Sequence, residues 1–285
     1  MKRLVTLSTL AAAAALALPA QAAHGRLRAP SENVRAAAGA PEAPAAEQGE
    51  FRWHGPVAAG RAVEIKGVNG RIEANPAPGG EVEVVAVKTA RRSDPDDVRI
   101  EVVQHEGGVT ICAVYPNVAG QPANTCTPGR GGHMSTRDND TNVEFMVRVP
   151  AGVRFTGRTV NGEVEAHDLG ADVEASTVNG SISITTAGLA RAQTVNGSIN
   201  AVMGRADWSD ELEFKTVNGA IDLTFPAGLS AEVEAKTLNG QISTDFPLTV
   251  QGTFSRRHMT GTIGNGGREL RLETVNGGVQ IRRAS

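Results

Sequence analysis

Val173-Glu174-Ala175-Ser176-Thr177-Val178-Asn179-Gly180-Ser181-Ile182-Ser183-Ile184 sets apolar residues at every second position on both sides of an Asn-Gly pair. Period-two alternation marks a strand with one buried face, so the stretch reads as two short strands around a bend. Asn-Gly behind Val or Leu occurs seven times, at Asn69-Gly70, Asn161-Gly162, Asn179-Gly180, Asn196-Gly197, Asn218-Gly219, Asn239-Gly240 and Asn276-Gly277. From Gly162 the glycine-to-glycine steps are 18, 17, 22 and 21, then 37 to Gly277; Met259-Thr260-Gly261, read as a worn copy, divides the last into 21 and 16. Self-similarity at such a period marks a stacked repeat architecture. Val68-Asn69-Gly70 stands apart as an outlying copy.

The bend has two readings. Asn-Gly suits a two-residue hairpin, because both residues tolerate positive φ. Such a hairpin would pair Val178 with Ser181, whereas the apolar partner, Ile182, comes one residue later. A wider corner or a bulged hairpin follows, with Gly in a left-handed or otherwise strained position. A second bend, Pro150-Ala151-Gly152 and Pro226-Ala227-Gly228, offers turn chemistry between copies. Two bends per unit suit a coil that returns on itself.

The expected fold is therefore all-β, a β-solenoid-like stack of short strands with Asn-Gly corners. The alternative is a meander of bulged hairpins in a β-sandwich or roll. The pairs Val160/Val164, Val178/Ile182, Val195/Ile199, Val217/Ile221, Leu238/Ile242 and Val275/Val279, with Val68/Ile72, are expected to form columns in one core. Each fully buried aliphatic contributes about 1.5–3 kcal/mol. Stacked corners about 4.8 Å apart would bring the Asn side chains into an amide ladder.

The N-terminus reads as a secretory signal: Lys2 and Arg3, an apolar run from Leu4 to Leu18, and Ala20-Gln21-Ala22 as cleavage site. Residues 23–50, rich in Ala, Pro, Gly and Glu, read as a flexible leader, and 51–285 as the β-repeat domain. Within it, 51–149 holds irregular strands and a polar loop at 116–142, and 150–283 the regular array. No stretch reaches the ~20 apolar residues of a transmembrane helix. The chain is expected to be exported, to the periplasm or the cell surface.

Removing Lys2 and Arg3 takes the formal net charge from −3 to −5, and the basic residues are scattered, so nucleic acid is not an expected partner. Two Trp, one Tyr and seven Phe in 285 residues are few for a platform that stacks sugars or bases. Cys112 and Cys126 are the only cysteines. In an oxidising compartment a disulfide across the Pro- and Gly-rich loop between them is the leading reading, and two free thiols or a metal pair the others.

Thr-Val-Asn-Gly-x-Ile, the opening Gly67-Val68-Asn69-Gly70-Arg71-Ile72, Val109-Thr110-Ile111-Cys112 and Val149-Pro150-Ala151-Gly152-Val153 resemble the bacterial "putative adhesin" family of β-strand repeats, a domain of unknown function. The resemblance covers about residues 51–283. It implies a β-solenoid-like, exported envelope protein and brings no catalytic residues.

Candidate chemistry is sparse. Asp138, Asp140 and Asn142 alternate as oxygen donors without the glycine and distal glutamate of the twelve-residue Ca²⁺ loop. Asp94-Pro95-Asp96-Asp97 reads as a turn before a strand, and the six histidines lack metal-ligand spacing. Asp207, Asp210 and Glu211 beside Trp208 are the one cluster a polysaccharide-active enzyme would favour. Thr177, Thr194, Thr216 and Thr237 are read as an outward column, a strand-favouring face or a flat binding surface. No cofactor or metal is expected. The function that follows is non-enzymatic adhesion, binding or scaffolding in the cell envelope, with an envelope glycan or protein as partner. A polysaccharide lyase or hydrolase on the same scaffold is one alternative. The other is a self-assembling structural protein, against which the arginine-bearing end, Leu270-Arg271-Leu272 through Ile281-Arg282-Arg283, reads as a charged cap.

Overall fold

The computed structural model describes residues 47–250 and 255–285. The signal and most of the leader read from the sequence lie outside these residues, although Glu47–Glu50, placed in the leader, open the first strand. Among the described residues twenty-one strands, numbered in chain order, form two sheets. Each rung of the stack places one strand in each sheet, joined by an Asn-Gly corner. The rungs are β2 (Ala62–Lys66) with β3 (Ile72–Pro76), β8 (Arg154–Arg158) with β9 (Val164–Leu169), and β10 (Val173–Ser176) with β11 (Ile182–Thr186). They continue with β12 (Ala190–Gln193) and β13 (Ile199–Met203), β14 (Leu212–Lys215) and β15 (Ile221–Phe225), β16 (Ala231–Lys236) and β17 (Ile242–Thr244), and β20 (Glu269–Glu273) and β21 (Val279–Arg283). Like strands pair in parallel, Val173 with Ala190 and Ile182 with Ile199. The chain is thus an all-β, β-solenoid-like stack, and the hairpin meander is not built, because the strands flanking each corner lie in different sheets.

Antiparallel strands close one end of the stack in both sheets and the other end in the second sheet alone, where β17 remains the edge of the first. At one end β1 (Glu47–Pro56), β4 (Glu81–Ala90) and β7 (Asn142–Val149) extend the first sheet, and β5 (Arg99–His105) pairs with β6 (Gly108–Val114) on the second. At the other, β19 (His258–Ile263) lies antiparallel to β16, and β18 (Leu248–Val250) antiparallel to β19. Two expectations fall here. Met259-Thr260-Gly261 is no corner, since Met259 pairs with Ala235 and Gly261 with Val233 inside a sheet. The C-terminal rung is no cap, since β20 lies between β14 and β16, and β21 between β15 and β17. The chain builds the end first and returns to fill the rung inside it. Val68-Asn69-Gly70, remote in sequence, is an ordinary rung whose Asn69 stacks on Asn161.

The corner is a set of contacts between neighbouring rungs. Each Asn side chain donates from Nδ2 to the Oδ1 of the next, at 2.7–2.8 Å, in the order Asn239, Asn276, Asn218, Asn196, Asn179, Asn161, Asn69. At the head of this one-way chain the Tyr115 hydroxyl takes the place of the missing rung. It faces the Asn69 backbone and side-chain amides and donates to Thr141 O at 2.8 Å. Burial pushes its pKa up to about 12, with the Asn69 hydrogen bonds opposing.

The glycines are required for closeness rather than for φ. Only Gly70 among the seven has a positive φ, +129°. At Gly162, Gly180, Gly197, Gly219, Gly240 and Gly277 a Cβ would run into the backbone carbonyl of the neighbouring rung's glycine.

That carbonyl also reverses the expected facing of the corner residues. Thr177 donates through Oγ1 to Gly162 O at 2.9 Å, Thr194 to Gly180 O at 2.9 Å, Thr216 to Gly197 O at 2.8 Å and Thr237 to Gly277 O at 2.8 Å. These four threonines are buried, 1–7% exposed, and are not a binding surface. At four corners the residue after the threonine faces out, with Val160, Val178 and Val195 38% exposed and Leu238 59%, while Val217 and Val275 are half-buried. The expected core columns therefore hold on one side of the corner, at Ile72, Val164, Ile182, Ile199, Ile221 and Val279, and not at these four positions. Val68 stays buried.

Thr194→Val keeps shape and strand propensity but leaves Gly180 O without its hydroxyl. It is expected to lower unfolding free energy by about 1–3 kcal/mol, read from urea denaturation. Unchanged or increased stability would contradict this arrangement.

Candidate functional site

The second sheet carries its charges in register on its outer face. Glu174 pairs with Arg191, Ala192 pairs with Phe214 and so sets Arg191 beside Glu213, and Glu213, Arg271 and Glu234 follow in line. Opposite charges on adjacent strands stabilise a sheet. In the next row toward the strand starts, Glu269 pairs with Glu232, and Arg271 lies 3.7 Å from Glu211 and 3.9 Å from Glu234.

The 116–142 loop leans over this face at one end and is clamped there. Cys112 and Cys126 form a disulfide, with Cα atoms 5.6 Å apart. Lys66 Nζ donates to the carbonyls of Thr127, Gly129 and Gly131, and burial lowers its pKa, with Glu64 opposing. Buried Glu64 accepts from Thr110 Oγ1 and from the Gly129 amide, both at 2.9 Å, and from Arg158 Nε at 3.2 Å. Asn124 is the hub of the loop: its Nδ2 donates to Tyr115, Pro116 and Ser135 carbonyls, and its Oδ1 accepts from Ser135 N at 2.7 Å. The polar composition of the loop gives no sign of this hub.

Between loop and sheet lies a groove of about 390 Å³, lined by Arg130 from the loop and by Arg158, Glu174, Arg191, Gln193 and Glu213 from the rungs. Glu174 binds Arg158 at 2.7 Å and Arg130 at 3.7 Å, while Gln193 Nε2 donates to Glu213 at 3.1 Å. The groove thus presents guanidinium, carboxylate, amide and hydroxyl groups on a rigid floor.

The other candidates serve the scaffold. Asp140 accepts from the Ser93 amide at 2.9 Å and the Arg92 amide at 3.3 Å, bonds that hold its pKa down to about 2. Asn139 Oδ1 accepts from Thr141 N, and Asn142 Nδ2 donates to Glu144. Asp94 caps the 3₁₀ turn Pro95–Asp97. Trp208 is buried, tilted against Phe225 at 6.0 Å, and donates from Nε1 to Glu269 O at 2.9 Å. Beside it, the Arg205 hydrogen bond lowers the pKa of Asp207, the direction opposite to that of a general acid. Among the described residues no His/Cys/Asp/Glu group of three or more has a metal-holding arrangement, and no helix is long and apolar enough to cross a membrane.

The sequence profile of the Toastrack DUF4097 family matches residues 133–282, more than half of the chain. The chain belongs to the Toastrack DUF4097 family. The match runs from within the clamped loop to β21, while the rung of β2 and β3 lies outside it. No curated protein matches at the sequence level. Among solved structures, a "putative cell adhesion protein" from Clostridium sporogenes ATCC 15579 aligns at 10% identity and TM-score 0.47, over 84% of this chain and 100% of its own. A "putative adhesin" from Bacteroides fragilis NCTC 9343 aligns at 11% identity and TM-score 0.35, over 83% and 97%. Neither likeness bears on what this Toastrack chain binds.

Lys66→Met removes the donor shared by three loop carbonyls. Tryptic cleavage at Arg130 is expected to rise about tenfold, the factor that ~1.4 kcal/mol sets, with the β-sheet circular dichroism retained. Equal cleavage rates would contradict the clamp.

Proposed function

We propose that the chain is an exported, non-enzymatic protein of the cell envelope that binds a glycan or protein partner, in adhesion or scaffolding, through the groove between the 116–142 loop and the second sheet. The observation that carries this reading is the clamp: a disulfide, a lysine on three carbonyls and a buried glutamate hold an irregular loop over a flat, charge-alternating face. Binding residues commonly sit on loops fixed by a rigid scaffold. A stack whose corners leave no room for a Cβ is such a scaffold. The disulfide fits an oxidising compartment and agrees with removal of residues 1–22 on export. Scaffolding by self-stacking is less favoured, because antiparallel strands lie beyond the parallel rungs in both sheets at one end and in the second sheet at the other, which leaves only the three-residue β17 as a parallel edge.

The test is incubation of the purified chain with polysaccharide and protein fractions of its own envelope. Retention of a fraction with no new reducing or unsaturated ends is expected. Release of such ends would overturn the non-enzymatic reading, and failure to retain any fraction would overturn the binding one.

A further inference from the structure

Arg191 is the one arginine among the described residues that is neither exposed nor partnered. The other arginines lacking a side-chain hydrogen bond or ion pair, such as Arg91, Arg137, Arg148, Arg256 and Arg283, project into solvent, where water satisfies their guanidinium groups. Arg191 stands half-buried on β12 in the floor of the groove. Its neighbours in register are Glu174, which holds Arg158 and Arg130, and Glu213, which accepts from the neutral Gln193 amide, and neither makes an ion pair with it. A guanidinium is a rigid fork of five donors that matches the oxygens of a carboxylate or phosphate, and one held partly out of water gains most from a charged acceptor.

The surroundings suit a chain of hydroxyl-bearing units around that charge. Ser176 and Gln193 supply neutral donors and acceptors beside it. Arg130, with 79% of its side chain exposed, overhangs from the loop and is free to swing onto a second oxygen. Glu211 lines both this groove and the neighbouring hollow that runs on toward Glu232 and Arg271, so the depression continues across the rungs instead of ending in a closed pocket.

We infer that the groove is an oxyanion subsite centred on Arg191, which takes a carboxylate or phosphate carried on a polyhydroxylated polymer. This rests on the binding reading above and names its ligand class. The bound oxygen pair replaces water at Arg191, and the polymer's hydroxyls meet Ser176 and Gln193.

Binding of the full chain is measured by calorimetry with three probes: an oligogalacturonate, an oligomer of glycerol phosphate, and a neutral maltooligosaccharide. One anionic probe is expected to bind and the neutral one not, and which anion binds tells a uronate from a phosphate source. Arg191→Gln is expected to weaken that binding about tenfold or more, the range of a lost charge-assisted bond, with Arg191→Lys intermediate and Arg148→Gln, on the other sheet, unchanged. In the unaltered chain the bound anion is expected to protect Arg191 from phenylglyoxal, read by mass spectrometry, which does not depend on how a variant folds. Binding of neither anion, equal binding by Arg191→Gln, or no protection would overturn the subsite. The binding reading would stand if an envelope fraction were still retained.

Discussion

Close approach of glycine to glycine at the corner is the constraint on which the rest of the stack depends. Six rungs set a glycine Cα against the preceding rung's glycine carbonyl, with no space for a Cβ. Strand spacing in a sheet is fixed by hydrogen bonding at about 4.8 Å, so a corner tight enough to join two sheets brings its backbones together. Once they meet, the buried Thr hydroxyl finds the same carbonyl, the Asn amides fall into line, and Val or Leu is turned outward. The ladder needs a start, and Tyr115, the only tyrosine of the chain, supplies it.

The repeat and its corners are legible because they are local and reiterated: the Asn-Gly spacing and the alternation at Ile182 and Ile184 lead to the two-sheet stack. Facing at the corner is not legible from periodicity. Counting by twos back from Ile184 and Ile182 assigns Val178 inward, whereas counting on from Val173 and Ala175 assigns Thr177 inward; the chain changes sheet between them, and the carbonyl of Gly162 accepts from Thr177. Order along the stack is likewise hidden. Nothing in Met259-Thr260-Gly261 shows that this segment pairs antiparallel with β16, or that the last rung slots in beneath it, because both depend on contacts remote in sequence.

The groove was equally out of reach for sequence reasoning. Composition marks 116–142 as a polar loop, but the clamp joins Lys66 to carbonyls more than sixty residues away. Arg191 looks like any outward strand residue until the fold leaves its guanidinium half-buried and without a hydrogen bond or ion pair. The fold thus places a regular, self-satisfied surface next to one position that is not satisfied, and binding is expected where that regularity fails.

The most direct test of the corner compares thermal unfolding of Gly197→Ala with Gly228→Ala. At Gly197 an added methyl meets the Gly180 carbonyl, while at Gly228 it meets nothing within 4 Å. Gly197→Ala is expected to lose about 3 kcal/mol or more, as overpacking against immovable backbone does, and Gly228→Ala to be neutral or slightly more stable. Equal midpoints for the two variants would contradict this constraint.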